Sequence, residues 1–172
     1  MQSCKFYNRT LVRIIIFIAF IPFMAFGFDK EISSKLAWKN TSLADLISDV
    51  GVVTMVAAPL IYNGSQGKWH AAFGSLGFIA GNHLVTGWLK GIFKRERPNG
   101  EDFRSMPSGH TSDSFTAAGL LCVTSHDALL CTSGLLLAST VGYLRIAAKK
   151  HYPTDVFVGA GLGIVNGALI PT

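Results

Sequence analysis

A histidine and a carboxylate near the C-terminal end of the chain have the spacing of a catalytic pair. Asp155 follows His151 by four residues, and a carboxylate at that distance can hydrogen-bond one ring nitrogen and leave the other free as a nucleophile. Pro153 between them suits the first position of a helix, which places Asp155 in the first helical turn. The sequence therefore predicts a nucleophilic histidine at the start of a helix.

A second histidine follows a short segment suited to binding an anion. Ser108 occupies a helix-capping position, and Gly109 allows the backbone to approach a ligand closely. The free amides and the positive dipole end of such a helix favour a phosphate. His110 then lies in the first turn beside the anion, either as part of the chemistry or as an interfacial imidazole.

Three basic side chains can supply the positive charge that phosphoryl transfer requires. Arg97 and Arg145 carry planar guanidinium groups that match phosphate oxygens, and Lys90 adds a compact charge. Such cations stabilise the charge that develops on a transferred phosphoryl group. Each of them alone is equally compatible with an anchor at the membrane interface. Together with two histidines they indicate a phosphoryl-transfer site.

The composition indicates that a membrane-embedded bundle holds these residues. Of the 172 residues, 49% are hydrophobic and only 15% are charged, which is too apolar for an ordinary soluble domain. After an N-terminal apolar run, five more of membrane-spanning length follow at 44–62, 70–90, 108–125, 128–147 and 154–170. We predict an all-α integral membrane bundle of about six transmembrane helices, in one domain covering residues 1–172.

The first apolar run, residues 14–28, has two interpretations. It follows three basic residues, a pattern that keeps the N-terminus in the cytoplasm. The run is either an uncleaved span or part of a signal peptide within residues 1–28. Both interpretations place the polar clusters outside the cytoplasm. The basic residues of 90–104 then oppose the positive-inside tendency, so either the topology is inverted or these charges have a ligand.

Cysteine content and charge distribution limit the alternatives. The three cysteines, Cys4, Cys122 and Cys131, form no close pair in the sequence, so we predict free thiols, no disulfide and no metal site. The net charge of +5 is concentrated in one segment instead of covering a surface, which argues against a nucleic-acid partner.

Glycines inside two of the runs recur every four residues. They are Gly77 and Gly81 in one run, and Gly159, Gly163 and Gly167 in the last. This spacing is typical of seams where membrane helices pack closely, and we predict packing positions.

Polar residues inside the runs require partners. His83 precedes Lys90 by seven residues and therefore shares its helix face, with Asn82 adjoining it. We predict that these two make a structural polar contact. Asp113 either tunes His110 or is a solvated first-turn acid.

The clusters together form a three-part pattern, Lys90-x6-Arg97-Pro98, Pro107-Ser108-Gly109-His110 and Arg145-x5-His151-x3-Asp155. The pattern resembles the signature of the type 2 phosphatidic acid phosphatases. The motifs span residues 90–155, and the six-helix layout extends the resemblance over nearly the whole chain. One departure is Leu144, where the family usually has serine; the resemblance implies altered hydrogen bonding to phosphate there more than a loss of activity.

The resemblance implies a role for each matching residue. His151 would form a phosphohistidine, Asp155 would orient it, and His110 would protonate the leaving oxygen. Phosphate would be bound by the remaining matches, which are Lys90, Arg97, Ser108, Gly109 and Arg145. The family needs no metal, so we expect no metal and no other cofactor.

The implied function is a metal-independent lipid phosphatase of the bacterial inner membrane. Its partner would be a lipid phosphate: lipid A, undecaprenyl diphosphate, phosphatidylglycerol phosphate or phosphatidic acid. The segments 96–100 and 106–108 are similar to those of bacterial lipid A phosphatases. The site would face the periplasm or exterior, with no obligate protein partner. The alternatives are a non-catalytic lipid-phosphate-binding membrane protein and vanadate-type haloperoxidase chemistry in the same pocket.

Overall fold

The computed structural model describes residues 26–168, which form six α-helices and no strand. The helices are α1 (Phe26–Leu36), α2 (Thr41–Ser65), α3 (Trp69–Phe93), α4 (Gly109–Ser125), α5 (Ala128–Ala147) and α6 (Pro153–Ala168). Helices α2 to α6 correspond to the five apolar runs after the first. Residues 14–25 of the first run lie outside the described residues.

Helix α4 is the centre of the bundle. It packs against α2, α3, α5 and α6, and small or hydroxyl-bearing residues such as Ser112, Thr116 and Ala117 are buried along it. Small side chains let neighbouring helices approach closely, and the hydroxyl groups can bond backbone or polar neighbours. The helix that begins at the predicted anion-binding segment is therefore the most enclosed one.

Short turns join the helices as antiparallel hairpins. Between α4 and α5 the chain uses only His126 and Asp127; His126 adopts a left-handed conformation, and the Asp127 side chain accepts hydrogen bonds from the first amides of α5. Between α2 and α3, Gly67 takes a positive φ of 69°, which glycine adopts without steric cost. These hairpins place the C-terminal end of α3 beside the N-terminal end of α4.

The α4–α5 hairpin also corrects the prediction about cysteines. Cys122 and Cys131 form a disulfide, with their Cα atoms 4.4 Å apart. The prediction of free thiols was wrong for this pair because it considered sequence spacing alone. A two-residue turn brings positions on either side of it into contact across the hairpin. The disulfide lies at the end of the bundle opposite the predicted site.

The surface of the bundle is apolar, as a membrane protein requires. Large side chains that are mostly exposed include Val53, Leu84, Trp88 and Leu136. An apolar surface of this extent marks a contact with lipid or protein. By length and composition, two of the described helices are long and apolar enough to cross a membrane, Thr41–Ser65 and Ala128–Ala147.

Helix α1 was not predicted as a separate element. It follows the first apolar run, buries Asp29 and Ser33 against the bundle, and exposes most of Phe28. Beyond α1, the amide of Trp38 donates a hydrogen bond to the carbonyl oxygen of Ala147 at the end of α5. The segment after the first run is thus part of the bundle at the end where the predicted site lies.

The two glycine series differ in the structure. A Cβ atom added to Gly159 or Gly163 would lie 2.5 or 2.4 Å from a carbonyl oxygen of α4, so this series is a packing seam as predicted. No described residue outside their own helix lies within 4 Å of such an atom at Gly77 or Gly81. The seam predicted for these two therefore stays a prediction.

Candidate active site

The three predicted clusters meet at one end of the bundle. The amide of Ser108 donates a hydrogen bond of 3.0 Å to the carbonyl oxygen of Asp155, which joins the starts of α4 and α6. A Cβ added to Gly109 would lie 3.9 Å from the Lys90 side chain, which joins the end of α3 to the same place. The structure thus brings together residues that are separated by 65 positions in the sequence.

His151 is buried and its ring has a defined hydrogen-bonding state. Its side chain is 2% exposed, and Nδ1 lies 2.5 Å from the carbonyl oxygen of Ser105. A carbonyl oxygen can only accept, so Nδ1 carries a proton and Nε2 of the neutral ring presents a lone pair. Nε2 has no hydrogen-bond partner among residues 28–168. This is the arrangement that a nucleophilic histidine needs.

The surroundings also keep the His151 ring neutral. Burial lowers the pKa of His151 well below its usual range, and the nearby positive charges of Lys90, Arg145 and Arg97 lower it further. An imidazolium has no free lone pair and cannot attack phosphorus. The cations predicted to bind phosphate therefore also favour the nucleophilic form of the histidine.

Asp155 does not hydrogen-bond His151 directly, contrary to the prediction from their spacing. The Oδ2 atom of Asp155 lies 3.9 Å from Nδ1 of His151. It accepts instead from the Ser105 hydroxyl at 2.5 Å and from the Tyr152 amide at 2.8 Å. A carboxylate in the first helical turn is well placed to accept from the amides at that helix start. Asp155 therefore acts on the His151 ring through Ser105, whose carbonyl oxygen holds it.

Arg95 and Asp29 complete this buried network, and the sequence reasoning assigned a role to neither. The guanidinium of Arg95 donates to Oδ1 of Asp155 and to the Thr154 hydroxyl, both at 2.7 Å, and to Oδ2 of Asp29 at 2.7 Å. Asp29 also accepts from the amide and hydroxyl of Thr154. The planar fork of arginine suits two carboxylates at once. One signal was available: an acidic residue directly after an apolar run.

His110, like His151, is held by a hydrogen bond, in this case to a residue of α2. Its Nε2 atom lies 2.8 Å from Oδ1 of Asp49, and the His110 side chain is 34% exposed. A carboxylate accepts the proton on Nε2, so Nδ1, which has no partner among the described residues, is available to carry a second proton. The sequence reasoning missed Asp49, because nothing in α2 repeats the pattern of the three clusters.

The predicted phosphate-binding arginines already have acidic partners. Arg145 donates through Nη1 to Asp45 at 2.6 Å, to the Ser48 hydroxyl at 2.9 Å and to Asp49 at 3.2 Å. Its Nε is buried and has no hydrogen-bond partner among the described residues. Arg97 donates through Nε to Asp102 at 2.7 Å. These ion pairs provide internal partners for the excess of basic residues at this end of the bundle.

The other predicted polar residues have separate functions. Asp113 is buried and accepts from Asn82 at 2.7 Å, and its other oxygen lies 2.9 Å from Nδ1 of His83. This confirms the structural polar contact predicted for α3, and it shows that Asp113 is not a solvated acid. Leu144 is buried in an apolar cluster with Ala44 of α2, so packing accounts for the residue at that position.

The segment that carries both histidines is similar to a known protein family. A family model described as the PAP2 superfamily matches residues 99–172. The C-terminal part of the chain is therefore similar to this superfamily, in agreement with the resemblance that the motifs indicate. The match starts after Lys90 and Arg97, so those two residues are placed at the site by the fold and not by the family model.

Two curated relatives of this chain are named phosphatases. It is 38% identical over 79 residues to a lipid A 1-phosphatase of Porphyromonas gingivalis, covering 45% of this chain and 18% of that protein. It is 29% identical over 118 residues to a decaprenylphosphoryl-5-phosphoribose phosphatase of Mycolicibacterium smegmatis, covering 63% of this chain and 62% of that one. The chain therefore spans less than two thirds of the length of these relatives.

Two solved structures have the same fold as this chain. LpxE of Aquifex aeolicus is 28% identical, with a TM-score of 0.65 over 81% of this chain and 92% of that one. A transmembrane PAP2-type phosphatidylglycerolphosphate phosphatase of Bacillus subtilis is 20% identical, with a TM-score of 0.70 over 90% of each chain. These matches confirm the resemblance to the family and the helical membrane bundle predicted from the sequence.

Proposed function

We propose that the protein hydrolyses a phosphate ester of a membrane lipid through a phosphohistidine on His151. One observation carries the proposal: a buried, neutral imidazole, whose Nε2 has no partner in the described part of the chain, lies among three cations. Phosphate binding alone would need the cations and the backbone amides, but not a histidine held in this tautomer. The names of the curated relatives support a phosphorylated lipid as the substrate class.

The proposed reaction follows from the protonation states of the His151 and His110 rings. Nε2 of His151 attacks phosphorus, the bond between phosphorus and the lipid oxygen breaks, and His110 transfers a proton to that oxygen. Water then attacks the phosphohistidine while His110 takes up a proton from it, and the P–N bond breaks to release inorganic phosphate and restore His151. Lys90, Arg97 and Arg145 stabilise the charge on the transferred group.

Backbone amides at the start of α4 complete the proposed phosphate site. The first amides of a helix have no intrahelical acceptor, and the amide of Ser108 is already used by the Asp155 carbonyl. Those that follow, beginning at Gly109, are therefore proposed to bind phosphate oxygens, with the helix dipole favouring the anion.

Phosphate release from defined lipids tests the proposal. Purified protein in detergent with EDTA is offered phosphatidic acid, phosphatidylglycerol phosphate, undecaprenyl diphosphate and lipid A. We expect release from at least one lipid, without added metal, and its loss in the His151→Ala variant. The matched control is His83→Ala, because His83 also contacts a carboxylate but lies outside the proposed site. Absence of release from every lipid would indicate a lipid-phosphate-binding protein instead.

We further propose that the protein lies in the bacterial inner membrane with its site outside the cytoplasm. The basic N-terminal residues favour this orientation, and the ion pairs of Arg95, Arg97 and Arg145 reduce the opposing effect of basic residues at the site. The orientation puts Cys122 and Cys131 at the cytoplasmic end, where thiols are kept reduced, whereas the structure joins them in a disulfide.

The state of these two cysteines in living cells tests the orientation. We expect both to be alkylated when cells are treated with a membrane-permeant thiol reagent before lysis, and to be oxidised only after isolation. A disulfide that already protects them in intact cells would place that end in an oxidising compartment and contradict the orientation.

A further inference from the structure

A polar cavity of about 480 Å³ adjoins the proposed active site. Its walls come from α1, from the loop after α3 and from the turn between α5 and α6; the lining includes Lys30, Ser33, Arg97, Asn99, Lys149 and Tyr152. We call it the α1 cavity. Its volume falls within the range of small-molecule sites, about 300 to 1,000 Å³. Arg97 belongs both to this cavity and to the predicted phosphate site, so the two are contiguous.

The charges of the α1 cavity favour an anion. Lys30, Arg97 and Lys149 line it, against one carboxylate, Glu96. Neither Lys30 nor Lys149 forms an ion pair or a side-chain hydrogen bond with another of the described side chains. Other lysines at this end do, as Lys150 does with Glu101 at 2.8 Å. Two lysines without acidic partners facing a concave surface attract an anionic ligand.

The α1 cavity is fixed relative to the nucleophile. Lys149 lies two residues before His151 in the tight turn between α5 and α6, with a left-handed φ of 56°. In that turn the amides of Lys150 and His151 both donate to the carbonyl oxygen of Arg145. On the opposite wall, α1 is held to the start of α6 by Asp29. A ligand spanning the cavity and the site would therefore meet both in a defined geometry.

We propose that the α1 cavity binds the part of the substrate headgroup beyond the scissile phosphate and selects lipids whose leaving group carries a second anionic group together with hydroxyl groups. This inference rests on the proposed function. Phosphorylated sugar and polyol heads have this chemistry; phosphatidic acid has only the scissile phosphate. The lysines would pair with the second anion, and Ser33, Asn99 and Tyr152 offer hydrogen-bonding groups for hydroxyls.

The test compares the activity of a double variant on three lipid substrates. Activity is measured as kcat/KM in mixed micelles for lipid A, phosphatidylglycerol phosphate and phosphatidic acid. Lys30→Gln with Lys149→Gln should lower the value for the first two about tenfold more than for phosphatidic acid, because a charge-assisted hydrogen bond is lost only where a second anion exists. Lys35→Gln is the matched control: Lys35 lies on the same helix, pairs with Glu31 and does not line the cavity.

Inhibition by inorganic phosphate separates a headgroup site from a site for free phosphate. We expect the double variant to be inhibited by phosphate as strongly as the wild type. Equal weakening of phosphate inhibition and of all three lipids would mean that the lysines act on the scissile phosphate and would overturn the headgroup proposal. An unchanged ratio among the lipids would overturn it too, while leaving the phosphatase proposal intact. Inactivity of the wild type on every lipid would defeat both.

Discussion

The two histidines of the site are held by opposite kinds of surroundings. His151 is 2% exposed and bonded to a backbone carbonyl, with a fully buried carboxylate behind it. His110 is 34% exposed and bonded to Asp49, itself 55% exposed. A nucleophile benefits from a rigid, water-free position that keeps it neutral, whereas a proton donor must exchange protons with solvent between steps. The difference in burial thus separates the two proposed roles.

Among the changes considered, replacing Arg95 should disrupt the buried surroundings of His151 most severely. Arg95→Met would leave Asp29 and Asp155 as buried carboxylates without their shared cation, and losing one member of a buried ion pair costs about 3–5 kcal/mol. We expect a strongly lowered unfolding temperature in detergent and loss of turnover. Lys94→Met is the control: it removes the adjacent exposed charge, and a surface change of this kind costs within about 0.5 kcal/mol. Equal stability of the two variants would contradict the stabilising role of the Arg95 ion pairs.

The proton-donor role of the more exposed His110 is tested by varying the leaving group of the substrate. His110→Ala should lower turnover of a lipid phosphate about 10²- to 10⁴-fold, the usual contribution of general acid catalysis. Turnover of an aryl phosphate should fall much less in its first step, because a good leaving group needs little protonation. Equal losses for both substrates in a single-turnover measurement would count against the proton-donor role.

A smaller change distinguishes the two acids of α2. Asp49 contacts both His110 and Arg145, whereas Asp45 contacts Arg145 and not His110. Asp49→Asn should reduce turnover of lipid phosphate about tenfold and steepen its dependence on the leaving group. Asp45→Asn should leave that dependence as in the wild type. The same leaving-group dependence in both variants would mean that Asp49 acts only through Arg145.

The smallest effect is on the pH dependence of stability. Because the pKa of His151 in the folded protein lies well below the usual value near 6.5, the unfolded chain takes up a proton there first as the pH falls. The contribution to stability is complete above pH 6.5 and declines below it, toward the folded pKa. The unfolding temperature of the wild type, relative to His151→Gln, should therefore decrease between pH 7 and pH 5.5. A difference independent of pH would argue against the neutral buried ring.

The sequence predicted the residues that carry the chemistry better than those that position them. His151, His110 and the three cations stand in short patterns whose chemistry is local, so their types and spacing were informative. Asp29, Asp49 and Arg95 act across helices, and these partners lie 59 to 125 residues away. No local pattern marks such contacts, and a four-residue spacing wrongly predicted a direct bond between Asp155 and His151.

The helices themselves were predictable because apolar runs of membrane length have one stable form in lipid. The predictions that failed concern the ends and the surfaces of these helices. α1 begins at Phe26, within the last residues of the apolar run, so its separate role depended on Asp29 finding Arg95. Cys122 and Cys131 pair because the hairpin turn is short, which required the turn geometry and not the cysteine count.

The most direct test of the central claim is to trap the phosphoryl group on the enzyme. The His110→Ala variant is mixed with a radiolabelled phosphate ester that has a good leaving group and is quenched in alkali. Since this variant lacks the base that activates water, we predict an alkali-stable, acid-labile phosphate on the peptide containing His151, and none when His151 is also replaced by alanine. Phosphate release without label at His151, or label on another residue, would contradict the account.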